Sequence, residues 1–264
     1  MKLQDVRVKI DQMSERIVSG LKDRSRYSLS AGVFSEEAYD GKTWFNSRLL
    51  GEQSLDAIFG RYEFEDQHPL LFTKEVLPAS KIKRNPPSIG VARVGIDVGN
   101  KVIDLYKKAL EKICLPGEDK NNYGEIAKLD VSNVLALYER ICGIGQEVAE
   151  LKIQENAGIV YLDKETITEK LRNMRREQEV IDSGIEIARR YLLPNPETMS
   201  WFFRNVIDIT LLGVEVDYVL RKREKINNEP RIIPGLEYML NFFKRFRNKC
   251  SSIKESFKYF QRKN

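Results

Sequence analysis

What the sequence lacks already excludes several kinds of protein. Its 264 residues contain a single histidine, His68, so neither a histidine-based catalytic triad nor a metal site with several histidines is possible. The three cysteines, Cys114, Cys142 and Cys250, lie far apart and form no CxxC pair. We therefore predict no metal site and a reduced, cytoplasmic environment.

A long apolar run is also missing. The most apolar stretch, residues 206–220, contains Asp208, Glu215 and Asp217, so we do not expect it to span a membrane. The N-terminus is charged and amphipathic, unlike a secretory signal peptide. The net charge of +5 arises from mixed acidic and basic residues, which does not argue for nucleic acid. We expect neither a membrane nor a nucleic-acid partner.

Helical periodicity dominates what is present. Near the N-terminus, apolar side chains recur at spacings of three and four, which predicts a long amphipathic first helix. This stripe consists of Leu3, Val6, Ile10, Met13, Ile17 and Leu21.

Further helices are predicted along the chain, with no β-strand alternation of useful length. The pattern Thr166-x-x-Glu169 matches a capping box and predicts one long helix from Ile167. Asn195-Pro196 is expected to open the next helix. A proline-rich segment, residues 62–87, is expected to be a loop. The further predicted helices cover residues 47–59, 97–113, 119–152, 167–191 and 196–225.

These elements predict an all-α, multi-helix bundle. Residues 1–226 would form one helical domain, and residues 227–264 would form an extension with a basic amphipathic helix from about Gly235 to Phe260. We favour packing of this helix on the body or on a partner subunit. The alternative is that it docks on a membrane or on nucleic acid.

Six short motifs carry a family resemblance through their order and spacing. The chain resembles the all-helical chorismate mutases of the large yeast and plant type, over roughly residues 3–224. The motifs are LQDVR near the start, GRYEFEDQHPLLF at 60–72, DKNNYG at 119–124, ERI at 139–141, VAELK at 148–152 and VEVDYVLRK at 214–222, and the Asn173/Glu177 pair adds to them.

The resemblance implies an isomerase that converts chorismate to prephenate in phenylalanine and tyrosine biosynthesis, and a homodimer. This pericyclic rearrangement needs no nucleophile, metal or organic cofactor, so we expect no cofactor. The protein must instead hold the substrate in a reactive conformation and stabilise charge on the ether oxygen. Fixed cations suit such an anionic substrate, although the same charges could be ordinary solvated side chains on helices.

The resemblance also implies a role for individual residues. Arg7 and Arg140 would each bind a substrate carboxylate, because a guanidinium pairs with a carboxylate through two hydrogen bonds. Lys152 would donate to the ether oxygen, and Glu215 would lie opposite it in its protonated form. The remaining substrate-binding residues, on one helix face at spacings of three and four, would be Asn173, Arg176 and Glu177.

The chain departs from the family pattern at two points. Arg140 and Lys152 are twelve residues apart rather than eleven, which on a regular α-helix places them about 120° apart. We therefore predict a π-bulge between Ile141 and Val148. The family also has a hydroxyl residue four positions before Glu215, where this chain has Leu211, and the neighbouring Thr210 is expected to point about 140° away.

The regulatory site of the family is only partly matched. Arg61 and Gly124 occupy positions that would contribute to an effector site or a dimer interface. Gly60 replaces a second arginine, and Glu125 and Lys128 stand where small polar residues are expected. The alternatives to an active enzyme are a catalytically silent homologue with a regulatory or scaffold role, and a helical adaptor for anionic surfaces led by the basic extension.

Overall fold

The structure is a computed structural model that describes residues 3–71, 76–84, 90–92 and 94–228. A compact unit ends at Arg223, and a second unit begins at Glu224. The amphipathic helix predicted at 235–260 lies outside the described residues. The domain boundary predicted at residue 226 therefore stays a prediction.

The described residues are mainly helical, as the periodicity predicted. Two π-helical turns join consecutive α-helices end to end: the first π turn is Glu139–Gly143, and the second is Ile209–Glu215. The α-helices are α1 (Leu3–Arg24), α2 (Trp44–Ile58), α3 (Gly99–Ile113), α4 (Tyr123–Tyr138), α5 (Ile144–Glu155), α6 (Lys164–Leu171), α7 (Met174–Arg190), α8 (Thr198–Asp208) and α9 (Val216–Asn228). Short 3₁₀ turns cover Ala31–Phe34, Arg61–Glu63, Lys120–Asn122 and Ala157–Tyr161.

A small antiparallel hairpin precedes α2 and was not predicted. Its strands are β1 (Glu37–Tyr39) and β2 (Lys42–Thr43), with Tyr39 opposite Lys42. The turn between them is Asp40-Gly41, and both residues have positive φ, 52° and 70°. An Asp-Gly pair is a strong signal for this kind of turn, so the sequence did contain a sign of the hairpin.

The helix predicted from Ile167 to Tyr191 is in fact two helices. Asp163, rather than Thr166, caps α6, because its side chain accepts a hydrogen bond from the Thr166 backbone N–H at 2.9 Å. The chain leaves the helical conformation at Arg172, and the Asn173 side chain caps α7 by accepting from the Arg176 N–H at 3.0 Å. An asparagine cap gives the second helix its own start, which the sequence pattern did not reveal.

The predicted start of the following helix is also wrong in detail. Asn195 adopts a left-handed conformation with φ 52°, and α8 begins at Thr198. The carbonyls of Asn195 and Pro196 accept hydrogen bonds from the Thr198 and Met199 N–H groups in the turn before the helix.

The core is mainly apolar, and polar networks are buried within it. α1 packs against α4, α5 and α7, and α7 packs against α8. At the C-terminal end of α1, fully buried Arg24 donates from Nε to Asp130 of α4 at 2.7 Å. The Tyr106 hydroxyl donates to the same carboxylate oxygen at 2.7 Å, and Asn133 donates to that hydroxyl at 3.2 Å. These bonds join α1, α3 and α4.

Two further findings concern the described part of the chain. None of its helices is both long and apolar enough to cross a membrane. Within the same residues, no group of three or more histidine, cysteine, aspartate or glutamate side chains is arranged to hold a metal ion.

Candidate active site

A cavity of about 130 Å³ lies inside the helical bundle, and the residues predicted to bind substrate surround it. Its walls come from α1, the two π turns, α5, α7, α8 and the junction between α6 and α7. Four cations face two carboxylates, an excess of two positive charges. The cations are Arg7, Arg140, Lys152 and Arg176; the carboxylates are Glu177 and Glu215, and Asn173 also lines the cavity.

Arg140 is the most unusual of these groups. It lies in the first π turn, is only 5% exposed, and its Nε has no hydrogen-bond partner among the described residues. Burial lowers the pKa of Arg140 to about 10, against the opposing effects of Glu215 and Asp11, so the side chain stays charged at neutral pH. A buried cation without a hydrogen-bonded anion is costly, and the arrangement suits an anion that arrives from solution.

Lys152 and Glu215 form a pair on the wall of the cavity. The Lys152 Nζ lies 2.9 Å from Glu215 Oε2 and also donates to the Leu171 backbone carbonyl at the end of α6. An ammonium group has three N–H donors, so one remains for a ligand. Burial raises the pKa of Glu215; Lys152 and Arg140 oppose this, and Glu177 adds to it.

Three residues at the start of α7 line the cavity. Arg176 donates to Asp11 of α1 at 2.6 Å and to Glu179 at 3.3 Å, while its buried Nε has no partner among the described residues. Because the Asn173 side-chain oxygen caps the helix, the amide nitrogen of Asn173 remains available as a donor. Glu177 lies 3.6 Å from Arg172.

Arg7 reaches the cavity from α1. It is half-buried, and its guanidinium donates to Gln4 at 3.4 Å, a long and weak hydrogen bond. The guanidinium is therefore held loosely and can reorient toward a ligand.

The first π turn agrees in type with the predicted bulge, although it lies slightly earlier. It covers Glu139–Gly143 instead of lying wholly between Ile141 and Val148. Because a π turn bonds each N–H to the carbonyl five residues back, it takes up one more residue than an α-turn. Arg140 and Lys152 therefore both line the cavity despite their twelve-residue separation.

The second π turn corrects an expectation about Thr210. The α-helical rotation predicted that Thr210 would point away from Glu215, yet both residues line the cavity, as does Leu211. Residues five apart lie on the same side of a π turn, which explains the difference. The Thr210 hydroxyl donates to the Val206 carbonyl at 2.7 Å and remains free to accept a hydrogen bond.

Sequence reasoning missed two groups at the site. The Leu171 carbonyl holds Lys152, but a backbone group leaves no mark in a residue pattern. Asp11 holds Arg176, and its position one turn after Arg7 on the apolar-striped first helix was a usable signal.

Arg61 and Gly124 lie away from this cavity. Arg61 donates to Gln67 at 3.1 Å and forms ion pairs with Asp56 and Glu139 at 3.4 and 3.3 Å. Gly124 is in the first turn of α4, and a Cβ added there would meet open space. An effector or dimer role for either residue stays a prediction.

The fold of this chain matches that of solved structures. No protein-family model matches the chain. The structure is similar to the crystal structure of a chorismate mutase from Candida albicans in complex with L-Trp, with a TM-score of 0.75 and 24% identity over 84% of this chain and 92% of that one. The fold is therefore that of the all-helical chorismate mutases.

Individual relatives agree with this class. Chloroplastic chorismate mutase 1 of Arabidopsis thaliana is 27% identical over 200 residues, which are 71% of this chain; the match spans just 57% of that relative. The chorismate mutase of Saccharomyces cerevisiae is 23% identical over 256 residues, covering 85% of this chain and 96% of the relative. The resemblance to the yeast and plant enzymes is confirmed.

Proposed function

We propose that this protein is an enzyme, a chorismate mutase that isomerises chorismate to prephenate for phenylalanine and tyrosine biosynthesis. One observation carries the proposal: buried Arg140, with an Nε that lacks a partner among the described residues, faces a cavity with four cations and two carboxylates. Chorismate carries two carboxylates, and the excess of positive charge around the cavity would attract such a dianion.

The reaction itself makes modest demands on the protein. The ether C–O bond breaks while a new C–C bond forms within one molecule, so no atom or electron is exchanged with the enzyme. The site must hold the folded conformation and stabilise negative charge on the ether oxygen. A millionfold acceleration corresponds to roughly 8 kcal/mol, which a few charge-assisted hydrogen bonds of about 1.5–3 kcal/mol each could supply.

Lys152 and Glu215 are placed to act at the ether oxygen. The Leu171 carbonyl and Glu215 orient the Lys152 ammonium, which leaves one N–H for the substrate. Burial favours the protonated form of Glu215, and a bound dianion would favour it further. The protonated carboxyl then donates a second hydrogen bond to the ether oxygen.

The remaining groups would bind the polar ends of the substrate. Arg140 would pair with one carboxylate and Arg7 with the other, and Arg176 would add a donor through its buried Nε. Asn173 would donate to a carboxylate or a bridging water, and Glu177 would accept from the substrate hydroxyl.

One of the two alternatives has lost its support, and the other stays a prediction. The twelve-residue spacing and Leu211 favoured a silent homologue, but the π turns bring Arg140 and Thr210 to the cavity. The adaptor hypothesis depends on the basic extension, which lies outside the described residues.

A direct assay tests the function. Purified protein is mixed with chorismate, and its conversion to prephenate is followed against a protein-free control. We expect saturable turnover at neutral pH. If the protein unfolds cooperatively, and is therefore folded, but shows no turnover over a broad pH range, the enzyme hypothesis is wrong. The silent homologue then remains.

Assembly, regulation and location are further parts of the proposal. We expect a homodimer in the cytoplasm, although the Arabidopsis relative is named as chloroplastic. The Candida structure contains L-Trp, which supports testing aromatic amino acids as effectors near Arg61 and Gly124.

The raised pKa of Glu215 predicts a pH dependence. Glu215 donates only when protonated, so kcat/KM is expected to fall as pH rises through its pKa. Glu215→Gln keeps a neutral N–H donor at every pH, so this variant should lose the fall at high pH. The measurement is kcat/KM against pH for both proteins.

The control is Glu177→Gln, which changes a second carboxylate of the cavity. We expect it to raise KM and to keep the fall at high pH, moved to lower pH because the Glu177 charge helps to raise the pKa of Glu215. A Glu215→Gln variant whose kcat/KM falls over the same pH range as the wild type would show that another group titrates.

A further inference from the structure

Two π turns occur on the walls of the same cavity. The first π turn lies between α4 and α5, and the second between α8 and α9. The two turns contact each other. Gly145, at the start of α5, also lies close to the second π turn, because a Cβ added there would lie 3.0 Å from Val214 and 3.1 Å from Thr210.

Each π turn brings together a pair of polar side chains that a regular helix would separate. Arg140 and Lys152 are twelve residues apart, which is about 120° of rotation on an α-helix. Thr210 and Glu215 are five apart, which is about 140°. All four nevertheless line the cavity.

Removing one residue from each turn would give spacings that a regular α-helix can satisfy. Eleven residues correspond to about 20° and four residues to about 40°, so each pair would share a face without π geometry. One residue in each turn is also dispensable for packing. Gly143 has no side chain and would have ordinary space around a Cβ, and the Leu212 side chain is 49% exposed.

We infer that each π turn holds one residue more than its polar pair requires, and that Gly143 and Leu212 are the surplus residues. The π geometry of each turn accommodates its surplus residue, so that the polar pair still faces the cavity. Deleting either one converts its π turn to a continuous α-helix while the side chains on both sides keep their faces. The catalytic consequence rests on the proposed function, whereas the structural consequence does not.

The test is a pair of single-residue deletions, of Gly143 and of Leu212, made in the full chain. Urea unfolding should give a midpoint within about 0.5 M of the wild type for each. We expect kcat/KM for chorismate within about tenfold of the wild type, which corresponds to about 1.36 kcal/mol. A crystal structure of the Gly143 deletion should show an uninterrupted α-helix from Tyr123 to Glu155.

The control deletes Gly184, which also lacks a side chain but lies inside regular α7, where it packs closely against Phe203. Every later residue of that helix turns by about 100°, so this deletion should abolish cooperative unfolding. The inference is wrong if the Gly143 and Leu212 deletions abolish cooperative unfolding as the control does. It is also wrong if a crystal structure of either deletion still contains the π turn. If the wild type does not turn over chorismate, the proposed function fails while the unfolding midpoints and the crystal structure still decide the inference.

Discussion

Replacing Arg140 with methionine is expected to lower kcat/KM for chorismate by about 10²- to 10⁴-fold. A guanidinium that binds a carboxylate in bidentate fashion makes two charge-assisted hydrogen bonds, each contributing about 1.5–3 kcal/mol. A tenfold change in rate corresponds to about 1.36 kcal/mol. The kcat/KM of Arg140→Lys should lie between those of Arg140→Met and the wild type, because lysine keeps the charge but loses the planar guanidinium.

The same substitution should leave the fold intact, which separates a binding role from a structural one. Nε of Arg140 lacks a partner among the described residues, so removing the charge relieves a cost of burial. Methionine retains much of the apolar stem that packs in the wall. We therefore expect the free energy of unfolding, measured in urea, to stay the same or rise.

Arg175→Ala is the matched control for this experiment. Arg175 lies on α7 beside Arg176, and its side chain is 91% exposed and paired with Glu179. The variant loses one positive charge close to the cavity and should keep wild-type turnover. Near-normal kcat/KM for Arg140→Met would remove Arg140 from the site, and an equal loss in Arg175→Ala would point to a general charge effect.

Replacing Asp130 with alanine is expected to lower the free energy of unfolding by about 3–5 kcal/mol, because it leaves the Arg24 charge buried without an anion. The Arg24 side chain is fully buried, and its other hydrogen bonds go to uncharged acceptors: the carbonyls of Ser28 and Leu29 at 2.8 and 2.7 Å and the Cys114 Sγ at 3.6 Å. Tyr106 would lose its acceptor as well. Since a domain is stable by about 5–15 kcal/mol, this is a large fraction.

Urea unfolding of three proteins checks this expectation. Glu125→Ala removes an exposed carboxylate from the same helix and should change stability by less than about 0.5 kcal/mol. The double variant Arg24→Met/Asp130→Leu should recover part of the loss, because neither charge is then left alone. A midpoint for Asp130→Ala equal to that of the wild type would show that the ion pair does not stabilise the fold.

The sequence predicted helices best where an apolar stripe was long. α1 was predicted from six apolar positions and extends from Leu3 to Arg24. Helix boundaries were harder, because they depend on local hydrogen bonds. The break at Arg172 and Asn173 has no proline or glycine, and an asparagine cap decides it. The Asp40-Gly41 hairpin was overlooked because its strands are only two and three residues long.

The sequence predicted which residues form the site better than it predicted how they are arranged. Resemblance nominated seven residues, from Arg7 to Glu215, and all seven line one cavity; their roles stay predictions. Counting residues along a helix indicated the first π turn. The same counting, applied to Thr210 without allowing for a second π turn, gave the wrong direction. Regular helix geometry fails where an extra residue is absorbed, and packing between helices decides where that happens.

The cavity draws its polar groups from both ends of the compact unit, with Arg7 and Glu215 separated by 208 positions along the chain. No single helix or hairpin contains more than part of such a site, so the site does not form before these segments have packed together. A dianion that bridges these distant segments would bind only to molecules whose folding is complete. A bound dianion would then hold the two ends of the compact unit together. Ligand would therefore slow proteolysis far from the cavity as well as near it.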